Sequence, residues 1–180
     1  MKKAILVFLT TCILLSAAGC SALHKAESVF KPTETVFSID NYHLQITADS
    51  SFQEKTGGAF DLQITNDKAF VSIMAYKYMD LPEGLTPQNV YETQNEDLFS
   101  KRTAVTAVEE AKTQTLSQKE ITYAMYSAER DGVKNYYVTY LVDIPLEETF
   151  AWVLVTAAPS YLDNNQEYLH NIVCSLTTYS

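Results

Sequence analysis

The chain has 180 residues, 47 % of them hydrophobic and 19 % charged, enough for one domain with a packed core. A formal net charge of −9 argues against nucleic acid and anionic lipid headgroups as partners. Three cysteines, two of them in the first twenty residues, leave no basis for a disulfide framework.

The chain opens "MKKAILVFLTTCILLSAAGC". Lys2 and Lys3 form a positive start, and Ala4 to Leu15 an apolar run too short to span a bilayer. Small residues then lead to a single cysteine. This resembles the lipobox of bacterial lipoproteins, with Ala17, Ala18 and Gly19 before Cys20 and Ala17 where leucine is usual. A thiol alone among side chains can take diacylglycerol as a thioether. Cleavage before Cys20 frees an amine for a further acyl chain, and two or three chains anchor stably where one does not.

The resemblance implies a signal peptide over residues 1–19 and a lipidated Cys20. The implied location is the extracytoplasmic side of the cell membrane, held by lipid. Without residues 1–19 two lysines go, and 11 basic residues face 22 acidic ones, a formal charge of −11. With Cys12 removed and Cys20 alkylated, only Cys174 keeps a thiol, so stability rests on the core.

Residues 20–34 read as the lipidated N-terminus and a tether, and residues 35–180 as a single domain. Fourteen tether residues reach roughly 45 Å when extended. "TVFSIDNYHLQITAD" alternates in two runs around the turn pair Asp40-Asn41, and places His43 at a strand edge. "AFDLQIT" and "AFVSIMAYKY" read as strands parted by Asn66-Asp67. Thr86 can cap a helix over 87–101, with Pro87 at its first position and Val90, Tyr91, Gln94 and Leu98 on one face. A strand follows from Val105 to Thr115.

In "ITYAMYSAERDGVKNYYVTYLVDI", Asp131-Gly132 is a two-residue hairpin turn. Arg130 then pairs with Val133, Tyr126 with Tyr137 and Tyr123 with Tyr140. One face carries Tyr123, Met125, Tyr136, Val138 and Tyr140; the other carries Tyr126, Tyr137, Thr139 and Leu141. Glu120 falls opposite Asp143, so the ladder is expected to end or splay before this like-charged pair.

"TFAWVLVTAA" is apolar at odd and even positions and needs cover on both faces. The helix over 87–101 and a second within "SYLDNNQEYLHNIVCSL", with Ser160 and Asp163 as a capping box, can supply it. The fold class is therefore α+β: an antiparallel sheet with helices on both faces, a three-layer α/β/α sandwich. This order of elements resembles the PsbP-like or DcrB-like fold of many bacterial lipoproteins, over about residues 35 to 177. The resemblance implies a non-enzymatic accessory or binding domain and carries over no functional residue.

Motifs for catalysis are lacking. There is no G-x-S-x-G stretch, and Gly57-Gly58 reads as a loop. Glu109-Glu110 and Glu147-Glu148 are adjacent carboxylates; in a strand such a pair points to opposite faces. The tyrosines read as sheet packing, with a ligand platform for sugar or peptide as the alternative.

On the last helix Tyr161, Leu162, Tyr168, Leu169, Ile172, Val173 and Leu176 share one arc, which should dock on the sheet. Asp163, Glu167, His170 and Cys174 share the opposite arc, which puts Cys174 outward. Carboxylate, imidazole and thiolate on successive turns could ligate zinc. We read them as a solvated polar face and assign no metal, no cofactor and no catalytic residue.

The expected function is a membrane-anchored lipoprotein with a non-catalytic binding or accessory role in the cell envelope. Its expected partners are membrane lipid, through acylated Cys20, and an envelope or membrane protein, not nucleic acid. The alternative is an envelope hydrolase, marked by a deep pocket where His43 meets a carboxylate and a hydroxyl.

Overall fold

The computed structural model describes residues 33–179. The signal segment, Cys20 and most of the tether lie outside them. Among the described residues no helix is long and apolar enough to cross a membrane.

The chain begins with β1 (Glu34–Ile39) and β2 (Leu44–Asp49), paired antiparallel from Glu34↔Asp49 to Ile39↔Leu44. The link is a 3-10 turn over Asp40–Tyr42 that closes on His43 at φ 51°. His43 is thus a left-handed turn residue just ahead of β2, where the alternation had placed it in a strand. The short β10 (Thr177–Thr178) joins β2 to make a separate three-stranded sheet. The sequence pattern treats this hairpin as part of one sheet, because alternation reveals a strand's faces and not its neighbours.

The remaining strands are β3 (Gln53–Glu54), β4 (Leu62–Thr65), β5 (Ala69–Lys77), β6 (Thr103–Leu116), β7 (Lys119–Arg130), β8 (Val133–Ile144) and β9 (Thr149–Ala157). They form an antiparallel seven-stranded sheet in the order β3-β4-β5-β9-β8-β7-β6. The β7–β8 hairpin turns at Asp131 (φ 53°) and Gly132 (φ 76°), the two positive angles of a type I′ turn. Its register pairs Arg130 with Val133, Tyr126 with Tyr137 and Tyr123 with Tyr140.

Two helices complete the fold. α1 (Pro87–Ser100) starts with Pro87 and a capping box: the Thr86 side chain accepts from Asn89 N at 3.3 Å, and Asn89 Oδ1 accepts from Thr86 N at 3.0 Å. α2 (Pro159–Cys174) has Ala158 as its N-cap and no side-chain cap, so Ser160 and Asp163 form no capping box. Proline at the first position already removes one orphan N–H there. The helix kinks at Asn165, whose side chain donates to the Tyr161 carbonyl at 2.8 Å.

β9 is central and buried along nearly its whole length. Its Ala151, Val153, Val155 and Ala157 join a core with Leu162, Leu169, Ile172 and Val173 of α2 and with the β1–β2 hairpin. Its Phe150, Trp152 and Leu154 join a second core with Tyr91 and Leu98 of α1. Each helix therefore covers alternate residues of the same strand.

The like-charged pair sits inside the ladder: Glu120 opposes Asp143 in the observed register. Two features tolerate it. Glu120 is exposed, and Asp143 Oδ1 accepts from the Tyr78 hydroxyl at 2.5 Å. Burial still raises the Asp143 carboxyl above the usual range, and Glu120 adds to the rise.

Candidate functional site

Three grooves merit comparison. The first surrounds His43, with a volume of about 430 Å³ and walls that include Glu147, Glu148, Thr149 and Thr178. A hydrolase would need these groups assembled on the imidazole. His43 is exposed, its ring meets Tyr179 edge-on at 5.8 Å, and among the described residues its side chain makes no hydrogen bond to a carboxylate or hydroxyl. The Thr149 hydroxyl instead donates to the Glu147 carbonyl at 3.0 Å.

The second groove, of about 480 Å³, lies where α2 crosses β7 and β8. Tyr123 and Tyr140 form its floor, stacked at 5.6 Å and 25°, as their cross-strand pairing places them. Asp163, Glu167 and His170 of α2 form part of its wall. His170 rests 4.9 Å from Tyr123 and 5.8 Å from Tyr140.

The proposed outward arc of α2 is thus divided. Asp163 and Glu167 are exposed, while His170 and Cys174 are half-buried against the sheet. Cys174 does not face solvent as the helical wheel implies. β6 and β7 extend past the helix there, and the wheel takes no account of a long neighbouring strand. Among the described residues no three His, Cys, Asp or Glu side chains come together as metal ligands.

His170 and Cys174 do approach each other, Nε2 to Sγ at 3.3 Å. This pair is not set up as a nucleophile and base. Gln114 Nε2 lies 2.9 Å from His170 Nε2 and donates to its lone pair, which a thiol proton would otherwise use. Burial lowers the His170 pKa and raises that of Cys174; Lys119 and Gln114 only moderate the latter. Both shifts favour neutral imidazole and protonated thiol, the opposite of an activated cysteine.

Lys119 sits behind this pair, 8 % exposed. Its Nζ donates to the Cys174 carbonyl at 2.5 Å and to the Leu176 carbonyl at 2.6 Å. It therefore caps the end of α2, where a cation also suits the helix dipole. Burial lowers its pKa. The sequence carries no signal for this role, since the two carbonyls lie 55 and 57 positions along the chain from Lys119.

The third groove, of about 380 Å³, lies between the end of α1 and the start of β8, with Arg102, Arg130, Phe60 and Tyr137 in its walls. It too escapes the sequence reading, because its residues are far apart along the chain.

No protein-family model matches the chain, and neither does any curated protein. Solved structures do. The solution structure of cyanobacterial PsbP (CyanoP) from Synechocystis sp. PCC 6803 matches with a TM-score of 0.61 at 10 % identity, over 88 % of this chain and 99 % of that one. The Saccharomyces cerevisiae Ran-binding protein Mog1p matches with a TM-score of 0.53 at 10 % identity, over 82 % of this chain and 96 % of that one. A structure from Bacteroides thetaiotaomicron VPI-5482 gives 0.52 at 10 % identity, over 83 % of this chain and 49 % of that one. The chain has the PsbP/Mog1-like fold: mixed α+β, antiparallel sheets and two helices.

Proposed function

We propose that this chain is a lipid-anchored, extracytoplasmic accessory domain that binds another protein and performs no catalysis. Helices packed on both faces of β9 would hold a binding surface on this scaffold. One structural neighbour, Mog1p, is a Ran-binding protein, which supports a binding role without identifying a partner.

One observation carries the reading. Met79 and Leu146 are the two most exposed large apolar side chains among the described residues, at 81 % and 73 %. They sit on 3-10 turns at the ends of β5 and β8, tied together by the Tyr78 N–H donating to the Glu148 carbonyl at 2.9 Å. Exposed apolar groups clustered at one end of a domain and rimmed by polar residues mark an interaction surface. The rim here holds Asp80, Glu147 and Glu148. The fitting partner is a protein surface with an apolar centre and a basic edge.

The position suits an anchored domain. The chain enters at β1, and the six-residue strand, about 20 Å long, ends at the turn whose Tyr42 lies under Lys77. The apolar end therefore lies about a strand's length from Glu34, where β1 begins. Replacing both Met79 and Leu146 with aspartate should leave the fold intact and sharply reduce recovery of the partner from detergent-solubilised membranes. Undiminished recovery would rule out this surface.

A further inference from the structure

We infer that the groove at the other end of the same strands binds an organic anion with a ring or other apolar body. This inference does not depend on the protein-docking surface. Arg102 follows α1 directly and lays its guanidinium over the Tyr137 ring, 4.5 Å from the centroid. Its Nη1 donates to the Leu98 carbonyl. Its Nε is buried with no hydrogen-bond partner among the described residues, and Arg102 enters no ion pair among them. An orphaned buried donor carries a free-energy cost that a bound acceptor relieves, provided the guanidinium shifts to meet it.

A second arginine lines the same groove, and a lysine lies over one of its wall rings. Arg130 is in the wall, and its only carboxylate partner among the described residues, Asp131 at 3.6 Å, is itself 90 % exposed and so holds it weakly. Lys55 lies over the Phe70 ring, 5.1 Å from the centroid, and Phe70 is also in the wall. Two cations, Arg102 and Arg130, therefore line a groove whose one wall carboxylate among the described residues is Asp131, on a chain whose net charge is −9. Phe60 stacks on Trp152 at 6.4 Å and 10°, which gives the groove a rigid aromatic side.

With Nη1 already donating to Leu98, the Arg102 guanidinium over the Tyr137 ring keeps its remaining Nη donors for a carboxylate or phosphate. The body of the ligand then packs on Phe60, Phe70 and Tyr137. Local positive charge on an acidic surface concentrates anions there. Carboxylate and phosphate share this chemistry, so both are tested.

The full chain in detergent is titrated with phenyl phosphate, benzoate and inorganic phosphate, following Trp152 fluorescence. Saturable binding of phenyl phosphate, benzoate or both is expected, with inorganic phosphate weaker for lack of a body. Whichever ring-bearing anion binds tighter identifies the class. Arg102→Gln should weaken binding by about tenfold or more, and Arg102→Lys by nearly as much, since it keeps charge and loses the fork. Arg130→Gln, a surface change that leaves the fold intact, should weaken it several-fold. The inference is overturned if neither ring-bearing anion binds. It is also overturned if binding is unaltered in both Arg102→Gln and Arg130→Gln, or if inorganic phosphate binds as tightly as the ring-bearing anions.

Discussion

Replacing Lys119 with methionine removes a charge from inside the domain, and intuition about buried charges suggests a stabilised protein. The structure argues otherwise. Lys119 Nζ supplies donors to the carbonyls of Cys174 and Leu176, at 2.5 and 2.6 Å, just where α2 runs out of its own. Methionine fills the space and satisfies neither. Each carbonyl left without a donor in a partly buried site costs about 1–3 kcal/mol. Relief of the ammonium's own desolvation offsets part of that, so the net loss should be about 2 kcal/mol. In a domain of this size that lowers the midpoint of thermal unfolding by roughly 4–8 °C. Urea titration followed by circular dichroism measures it directly. Lys112→Met is the matched control: Lys112 also hydrogen-bonds, to Glu109 at 2.9 Å, but its side chain is 57 % exposed and its loss should not register. A Lys119→Met protein as stable as wild type would show that α2 does not need this cap.

Two further changes separate the electrostatic and anchoring parts of the account. Asp143→Asn keeps an acceptor for Tyr78 and removes the charge facing Glu120. Because the folded Asp143 pKa is raised, the wild type loses stability as pH rises through that pKa. The variant should therefore be the more stable at pH 7, with its advantage vanishing below about pH 4. An equal or lower urea midpoint at pH 7 would refute the burial and repulsion that raise the Asp143 carboxyl. Cys20→Ala should shift the protein from the detergent phase to the aqueous phase or leave an uncut precursor; a wild type found in the aqueous phase would dismiss the anchor.

Local chemistry made parts of this fold legible. Asp131-Gly132 announced a turn with two positive φ angles, and from that single pair the register of two twelve-residue strands followed. Thr86-Pro87 marked the start of α1 by the same kind of local rule. β9 showed its central place because both of its faces are apolar. The neighbouring turn at Ser117 and Gln118 also has two positive angles, yet neither residue type favours them, so nothing local betrayed it.

The sites were legible only where they depend on one element. Tyr123 and Tyr140 followed from the hairpin register. The facing of His170 and Cys174 did not, because it depends on how far β6 and β7 extend beside α2. Arg102 lies 35 positions from the ring it covers, and Lys119 lies 55 from the nearer carbonyl it caps. Long-range pairings of that kind carry no spacing signal. The Glu120–Asp143 pair failed in the opposite sense: the repulsion was read correctly, and a tyrosine 65 positions away supplied the hydrogen bond that accommodates it.

Site-specific photo-crosslinking in cells tests the binding role most directly. A photoreactive residue is placed at position 146, at position 79, or as a control at Glu92, exposed on α1. The account predicts one discrete protein adduct, the same from positions 79 and 146 and absent from position 92. No adduct from either apolar position, or the same adduct from Glu92, would contradict it.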